Sequence, residues 1–171
     1  VSPDGRAGMF EHGEEFAQAG IPFFFDPGQG LPMYEGDDVK RFIEQCTWVT
    51  VNDYEWQLMK DRTGWDVADV TSRTRALIVT RGGEGSLIYT KDDEYEIPTA
   101  KPEAVEDPTG CGDAYRAGLL HGLLNDMDWE TTGRIASLMG AIKIAQHGTQ
   151  NHSFTLDEFK ARFKAAFDRS I

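Results

Sequence analysis

The chain has 171 residues, 40% hydrophobic and 27% charged, with 29 acidic side chains against 17 basic ones and a formal net charge of −12. That length can bury one sizeable core, and the balance is that of a globular protein. The acidic excess argues against nucleic acid, whose binders present a basic face. The two cysteines, Cys46 and Cys111, stand alone without CxxC or CxxH spacing, which predicts a reducing compartment and no zinc site. No apolar run reaches membrane-spanning length and no signal-peptide pattern is present, so a cytoplasmic protein with no membrane partner is expected.

Met9, Phe10, Phe16 and Ala17 share helical spacing over residues 7–19, and Gly20 closes that helix. The run Ile21-Pro22-Phe23-Phe24-Phe25 reads as a buried parallel strand that turns sharply at Asp26-Pro27-Gly28. A helix over 37–46 turns Val39, Phe42 and Ile43 inward, and a strand over 48–51 ends at Asn52. Asn52 with Glu55 three residues on is capping-box chemistry for the next helix. Residues 56–73 read as helical but are interrupted at Gly64. Strands over 76–80 and 86–90 flank Arg81-Gly82-Gly83-Glu84-Gly85, which by itself is a glycine-rich hairpin turn. Residues 95–98 are expected at a sheet edge, since Pro98 cannot donate to a ladder.

Three helices complete the pattern. One runs over 112–124 with Ala114, Ala117, Gly118 and Leu119 on a close-packing face. The next runs over 129–146, with Gly148 as its C′ residue. The last, over 155–169, carries the stripe Leu156, Phe159, Phe163, Ala166 and Phe167. Strand–helix alternation predicts an α/β fold, a largely parallel sheet covered by helices on both faces. Its ligand site should lie at the strand C-terminal ends, where Asp26, Asn52, Thr80 and the loop 107–113 fall.

The most informative stretch is Val105-Glu106-Asp107-Pro108-Thr109-Gly110-Cys111-Gly112-Asp113 and the helix it opens. Gly110, Cys111 and Gly112 bring bare N–H groups to a helix start, where the dipole adds partial positive charge. Such an end binds anions, phosphate above all. Asp113 places a carboxylate beside it, and one base next to one anion hole suits phosphoryl transfer to a hydroxyl. Taken piece by piece, Asp107-Pro108-Thr109-Gly110 could be an ordinary turn and Asp113 an ordinary first-turn acid.

The whole string resembles the C-terminal signature of the ribokinase-like, phosphofructokinase-B type, sugar and nucleoside kinases, D-T-x-G-A-G-D-x-F-x-x-G. Asp107, Thr109, Gly110, Gly112, Asp113 and Gly118 match it; Cys111 replaces a usual Ala and Tyr115 a usual Phe. The resemblance implies a three-layer α/β/α fold, with Asp113 as catalytic base and the Gly110, Cys111 and Gly112 amides as the anion hole. It covers the whole chain but only about the C-terminal half of such kinases, so residues 1–171 are expected to be part of a single kinase domain whose N-terminal half and lid are absent. Asn52 and Glu55 match the family's N-x-x-E, which steers Mg²⁺. Thr80, Gly82 and Gly85 match its T-x-G-x-x-G, which approaches ATP. Gly148 matches a stretch that lines the adenine pocket. A monovalent cation, K⁺, would use oxygens of Asp107 and Thr109 and nearby carbonyls. The implied partners are a sugar or nucleoside, and the full-length family leaves a homodimer open. Gly28 stands where an Asn is common, a substitution hinting at the adenosine-kinase-like branch.

Other nucleotide folds fare worse. There is no G-x-x-x-x-G-K-[ST], and Tyr115 fills the third glycine position that a dinucleotide fingerprint needs. A second reading of the same fold is a non-catalytic nucleotide-binding or interaction module. The intact Asp113 argues against it.

Overall fold

Short runs of β-branched and aromatic residues become strands, and each of the first two is followed by a helix that opens on a capping box. In the computed structural model, which describes residues 1–171, the order is α1 (Arg6–Ala19), β1 (Phe24–Phe25), α2 (Gly36–Gln45), β2 (Trp48–Asn52), α3 (Asp53–Thr63), α4 (Val67–Thr71) and β3 (Ala76–Thr80). Then follow β4 (Ser86–Tyr89), β5 (Glu94–Ile97), α5 (Cys111–Leu124), α6 (Trp129–Ile144) and α7 (Leu156–Phe167). The strands form one sheet in the order β1-β2-β3-β4-β5, which puts β5 at an edge beside Pro98 as expected. The chain divides into two compact units, Val1–Arg81 with Leu87–Glu94, and Gly82–Ser86 with Tyr95–Ile171.

In the first unit β1, β2 and β3 are parallel, with Phe24 opposite Trp48 and a continuous register from Trp48–Ala76 to Asn52–Thr80. Every residue of β2 but the last is buried, which is why its sequence shows no alternation. Around it Met9, Phe25, Tyr34, Phe42 and Ile43 form the core. The Phe25 and Phe42 rings stack at 4.5 Å, and the Tyr34 hydroxyl reaches the Met9 sulfur at 2.9 Å. Val39, Phe42 and Ile43 are the buried face of α2, as their spacing predicts. The first strand is shorter than expected. Ile21 is half exposed and Pro22 has no N–H, so pairing starts only at Phe24. Residues Gly28–Met33 wind into a 3₁₀ turn that the Gly and Pro content hid.

In the second unit α5 and α6 meet backbone to backbone. A Cβ added to Gly118 would lie 2.5 Å from the Ala136 Cα. Ile135, Leu138 and Ile142 of α6 pack on Phe159 and Phe163 of α7. Three expected inward residues, Ala117, Leu156 and Ala166, are exposed instead. α6 stops at Ile144, so Gly148 lies beyond its end and is not its C′ residue. Cys46 and Cys111 are both free thiols, and no helix is long and apolar enough to cross a membrane.

Candidate active site

The loop before α5 is held by Asp107. Its Oδ1 accepts the Thr109 N–H at 2.8 Å and its Oδ2 accepts the Gly148 N–H at 2.9 Å. The Thr109 N–H and hydroxyl, then the Gly148 N–H, and finally the Lys143 charge pull the Asp107 carboxyl down to about 2. The sequence-predicted Asp107, Thr109 and Gly148 are therefore drawn together by one carboxylate. Gly110 follows at φ 84°, a left-handed conformation, and a Cβ there would lie 3.1 Å from the Thr149 side chain. The left-handed backbone favours glycine, and the close Thr149 side chain adds to the cost of any Cβ.

No side chain caps the start of α5. The Cys111 N–H donates to the Pro108 carbonyl at 3.1 Å and closes the turn. Gly112 and Asp113 stand in the first turn of the helix, and the Asp113 side chain is 73% exposed. Its Oδ1 lies 2.5 Å from Nη2 of Arg116, and a Cβ on Gly112 would sit 3.1 Å from Nη1 of the same guanidinium. The helix start thus pairs an end without a side-chain cap, a type of end that suits anions, with one carboxylate and one adjacent cation. Burial pushes the Cys111 thiol up, which disfavours its thiolate. Tyr115 is buried, and its hydroxyl hydrogen-bonds the Ser86 hydroxyl at 2.6 Å. That partner explains how this chain tolerates a tyrosine where Phe is usual, since a buried hydroxyl needs one.

The other predicted residues occupy two strand ends and a turn. In the first unit Asn52 and Thr80 are register partners at the ends of β2 and β3. Asn52 Oδ1 accepts the Glu55 N–H at 2.7 Å, and Glu55 Oε2 accepts the Asn52 N–H at 2.8 Å. That is a complete capping box. In the second unit Gly82 and Gly85 bracket a 3₁₀ turn whose Gly83 carbonyl accepts the Thr99 hydroxyl at 3.0 Å. A Cβ on Gly85 would lie 2.1 Å from the Ile97 carbonyl oxygen, so the chain itself requires that glycine.

The two implied ions differ in fit. No group of three or more His, Cys, Asp or Glu could hold a metal, so a caged ion does not fit. Mg²⁺ keeps several waters and needs few carboxylates, which Glu55 satisfies. A free monovalent cation does not fit beside Asp107, because Lys143 Nζ already donates to the Asp107 carbonyl at 2.5 Å and the Gln146 carbonyl at 3.2 Å.

Sequence reasoning missed Arg116 and Lys143. Arg116 stands three residues after Asp113, a helical-neighbour spacing that could have flagged it. Lys143 interrupts the apolar run Ala141-Ile142-Lys143-Ile144, a signal that a charge lies inside.

These features define a ribokinase-like α/β fold, a mixed five-stranded sheet flanked by helices with its signature loop at a helix start. The chain belongs to the pfkB family of carbohydrate kinases, whose pattern matches residues 2–156. A nucleoside kinase of Methanocaldococcus jannaschii is 37% identical over 140 residues, covering 82% of this chain and 46% of that protein. A Burkholderia thailandensis nucleoside kinase solved with inosine is 52% identical, with a TM-score of 0.97 over 100% of this chain and 57% of that one. The same kinase solved with ADP-inosine matches at a TM-score of 0.97 and 52% identity, covering 99% of this chain and 53% of that one. The chain therefore spans about half the length of the relatives it matches.

Proposed function

We propose that this chain is the part of an ATP-dependent nucleoside or sugar kinase that carries the phosphoryl-transfer step, both units belonging to one kinase domain. The observation behind it is the start of α5: a carboxylate, Asp113, in the first turn of a helix that no side chain caps. A phosphoryl group in transfer spreads negative charge over its oxygens, and preorganised N–H donors offset that charge. The amides of Gly112 and Asp113 supply such donors, and Gly110 and Asp107 hold the loop that presents them. Asp113 orients the acceptor hydroxyl and accepts its proton. Arg116, at 2.5 Å, fixes the rotamer of that carboxylate and adds positive charge beside the phosphoryl path.

The Gly82–Gly85 turn and the segment around Gly148, with Thr80 and Thr109, would contact the nucleotide. Glu55 would hold Mg²⁺ through water with Asn52 fixing its carboxylate, and the ion would neutralise phosphate charge. A nucleoside acceptor is favoured over a sugar because the relatives at 37% and 52% identity are nucleoside kinases. A cytoplasmic setting suits an acidic chain with two free thiols. A homodimer of the complete protein completes the reading. The test is transfer of labelled γ-phosphate from ATP to inosine by the complete protein. Asp113→Ala should lower kcat about 10³- to 10⁴-fold while the ATP Kd stays unchanged. Near-full activity in that variant would end the assignment.

A further inference from the structure

Lys143 is 0% exposed, although it lies in the last turn of α6, where lysines ordinarily reach water. A helix-end lysine that merely complements the dipole would stay solvated. This one turns inward and donates to the carbonyls of Gln146, at the α6 end, and Asp107, at the head of the signature loop. Burying an ammonium is costly unless oxygens replace its water. Here they are main-chain oxygens on two segments that Asp107 already joins through the Gly148 N–H. Carbonyls converging beside a carboxylate are the donor set of an alkali-cation site, and the ammonium is a compact point charge of the same sign.

We propose that the Lys143 ammonium is the built-in cation of the signature loop, so that this chain needs no free monovalent cation at that place. Lys143 is then a positioning residue. It holds the Asp107 carbonyl, and through it the loop that sets Gly110 and the start of α5. The effect on catalysis rests on the kinase reading given above; the cation binding does not.

The decisive experiment uses thallium(I), a spectroscopic substitute for K⁺, on the complete protein. The unaltered protein should give no bound ²⁰⁵Tl resonance, and its Tm should be the same in KCl and in tetramethylammonium chloride at equal ionic strength. Lys143→Ala should lower the Tm and gain a bound thallium signal. K⁺ or NH₄⁺, but not tetramethylammonium, should restore its Tm saturably. Its phosphoryl transfer should fall about 10-fold or more without K⁺ and recover with it. Bound thallium or selective K⁺ stabilisation in the unaltered protein would overturn the proposal, whether or not the variant folds. So would a folded Lys143→Ala protein that neither binds thallium nor responds to K⁺. Recovery of stability without activity would uphold the cation site and count against the kinase reading instead.

Discussion

Two helix starts in this protein solve the same problem in opposite ways. At α3, Asn52 and Glu55 accept one another's N–H groups at 2.7 and 2.8 Å, and the end is closed by its own side chains. At α5 the N-cap is Gly110, which has no side chain to accept anything, and the first turn carries an exposed carboxylate beside Arg116. Every helix leaves donors at its start, and a chain that satisfies them gains about 1 kcal/mol per cap. Both α1, behind Gly5, and α5, behind Gly110, go without a side-chain cap, but only at α5 does the start follow a left-handed glycine and carry a carboxylate in its first turn. The difference teaches that an uncapped helix start on a left-handed glycine with a carboxylate in its first turn deserves a ligand hypothesis on its own geometry, whereas the Asn52–Glu55 capping box already has a structural role and its Mg²⁺ role must be tested separately.

The comparison can be broken most severely at Gly110. An alanine there must adopt φ near 84° and meet Thr149, at a cost of about 1–2 kcal/mol in stability. Because the strain falls on the loop that aims the amides, Gly110→Ala should also cut kcat about 10²-fold. A variant that loses stability but keeps kcat would show that the loop is only a turn.

Asn52→Ala removes the closed cap and frees the Glu55 carboxylate, so it should cost about 1 kcal/mol, read as a lower Tm, and raise the Mg²⁺ concentration needed for turnover, while inosine-dependent turnover at saturating Mg²⁺ falls far less than in Gly110→Ala. A collapse of turnover at saturating Mg²⁺ would mean that the two helix starts are not so different after all.

The smallest effect is on acid stability. Asp107 is depressed from 3.8 to about 2 in the folded chain, so it stabilises the fold fully above its unfolded value and that contribution fades as pH falls from 3.8 toward 2. The Tm gap between the unaltered protein and Asp107→Asn should be constant above that window and shrink within it. A gap that widened on acidification would contradict the Thr109 and Gly148 hydrogen bonds.

Much of this was legible before any coordinates. The inward face of α2, the Gly20 and Gly64 stops, the parallel run of β1–β3 and the helix opening at the signature follow from apolar runs, strand–helix alternation and cap chemistry, whereas the strand register does not. What stayed hidden depends on long-range neighbours. Gly85 matches a nucleotide-approaching element in the sequence, but that the Ile97 carbonyl also requires a glycine there is seen only in the structure. Cys111 reads as an anion-hole amide, yet its N–H is used by Pro108. Leu156 fits the apolar stripe of α7 but sits one turn too early to reach the core, and it is 62% exposed. Lys143 carries no motif at all, because its role comes from carbonyls 36 and three residues away.

The central claim is that the Asp113 carboxylate handles the acceptor proton at an open helix start. Asp113→Asn tests it most directly, since it preserves shape and removes the base. Pre-steady-state transfer to inosine in the complete protein should show kcat down about 10²-fold or more, with the ATP and inosine dissociation constants unchanged. Unchanged kcat, or a loss confined to nucleoside affinity, would contradict it.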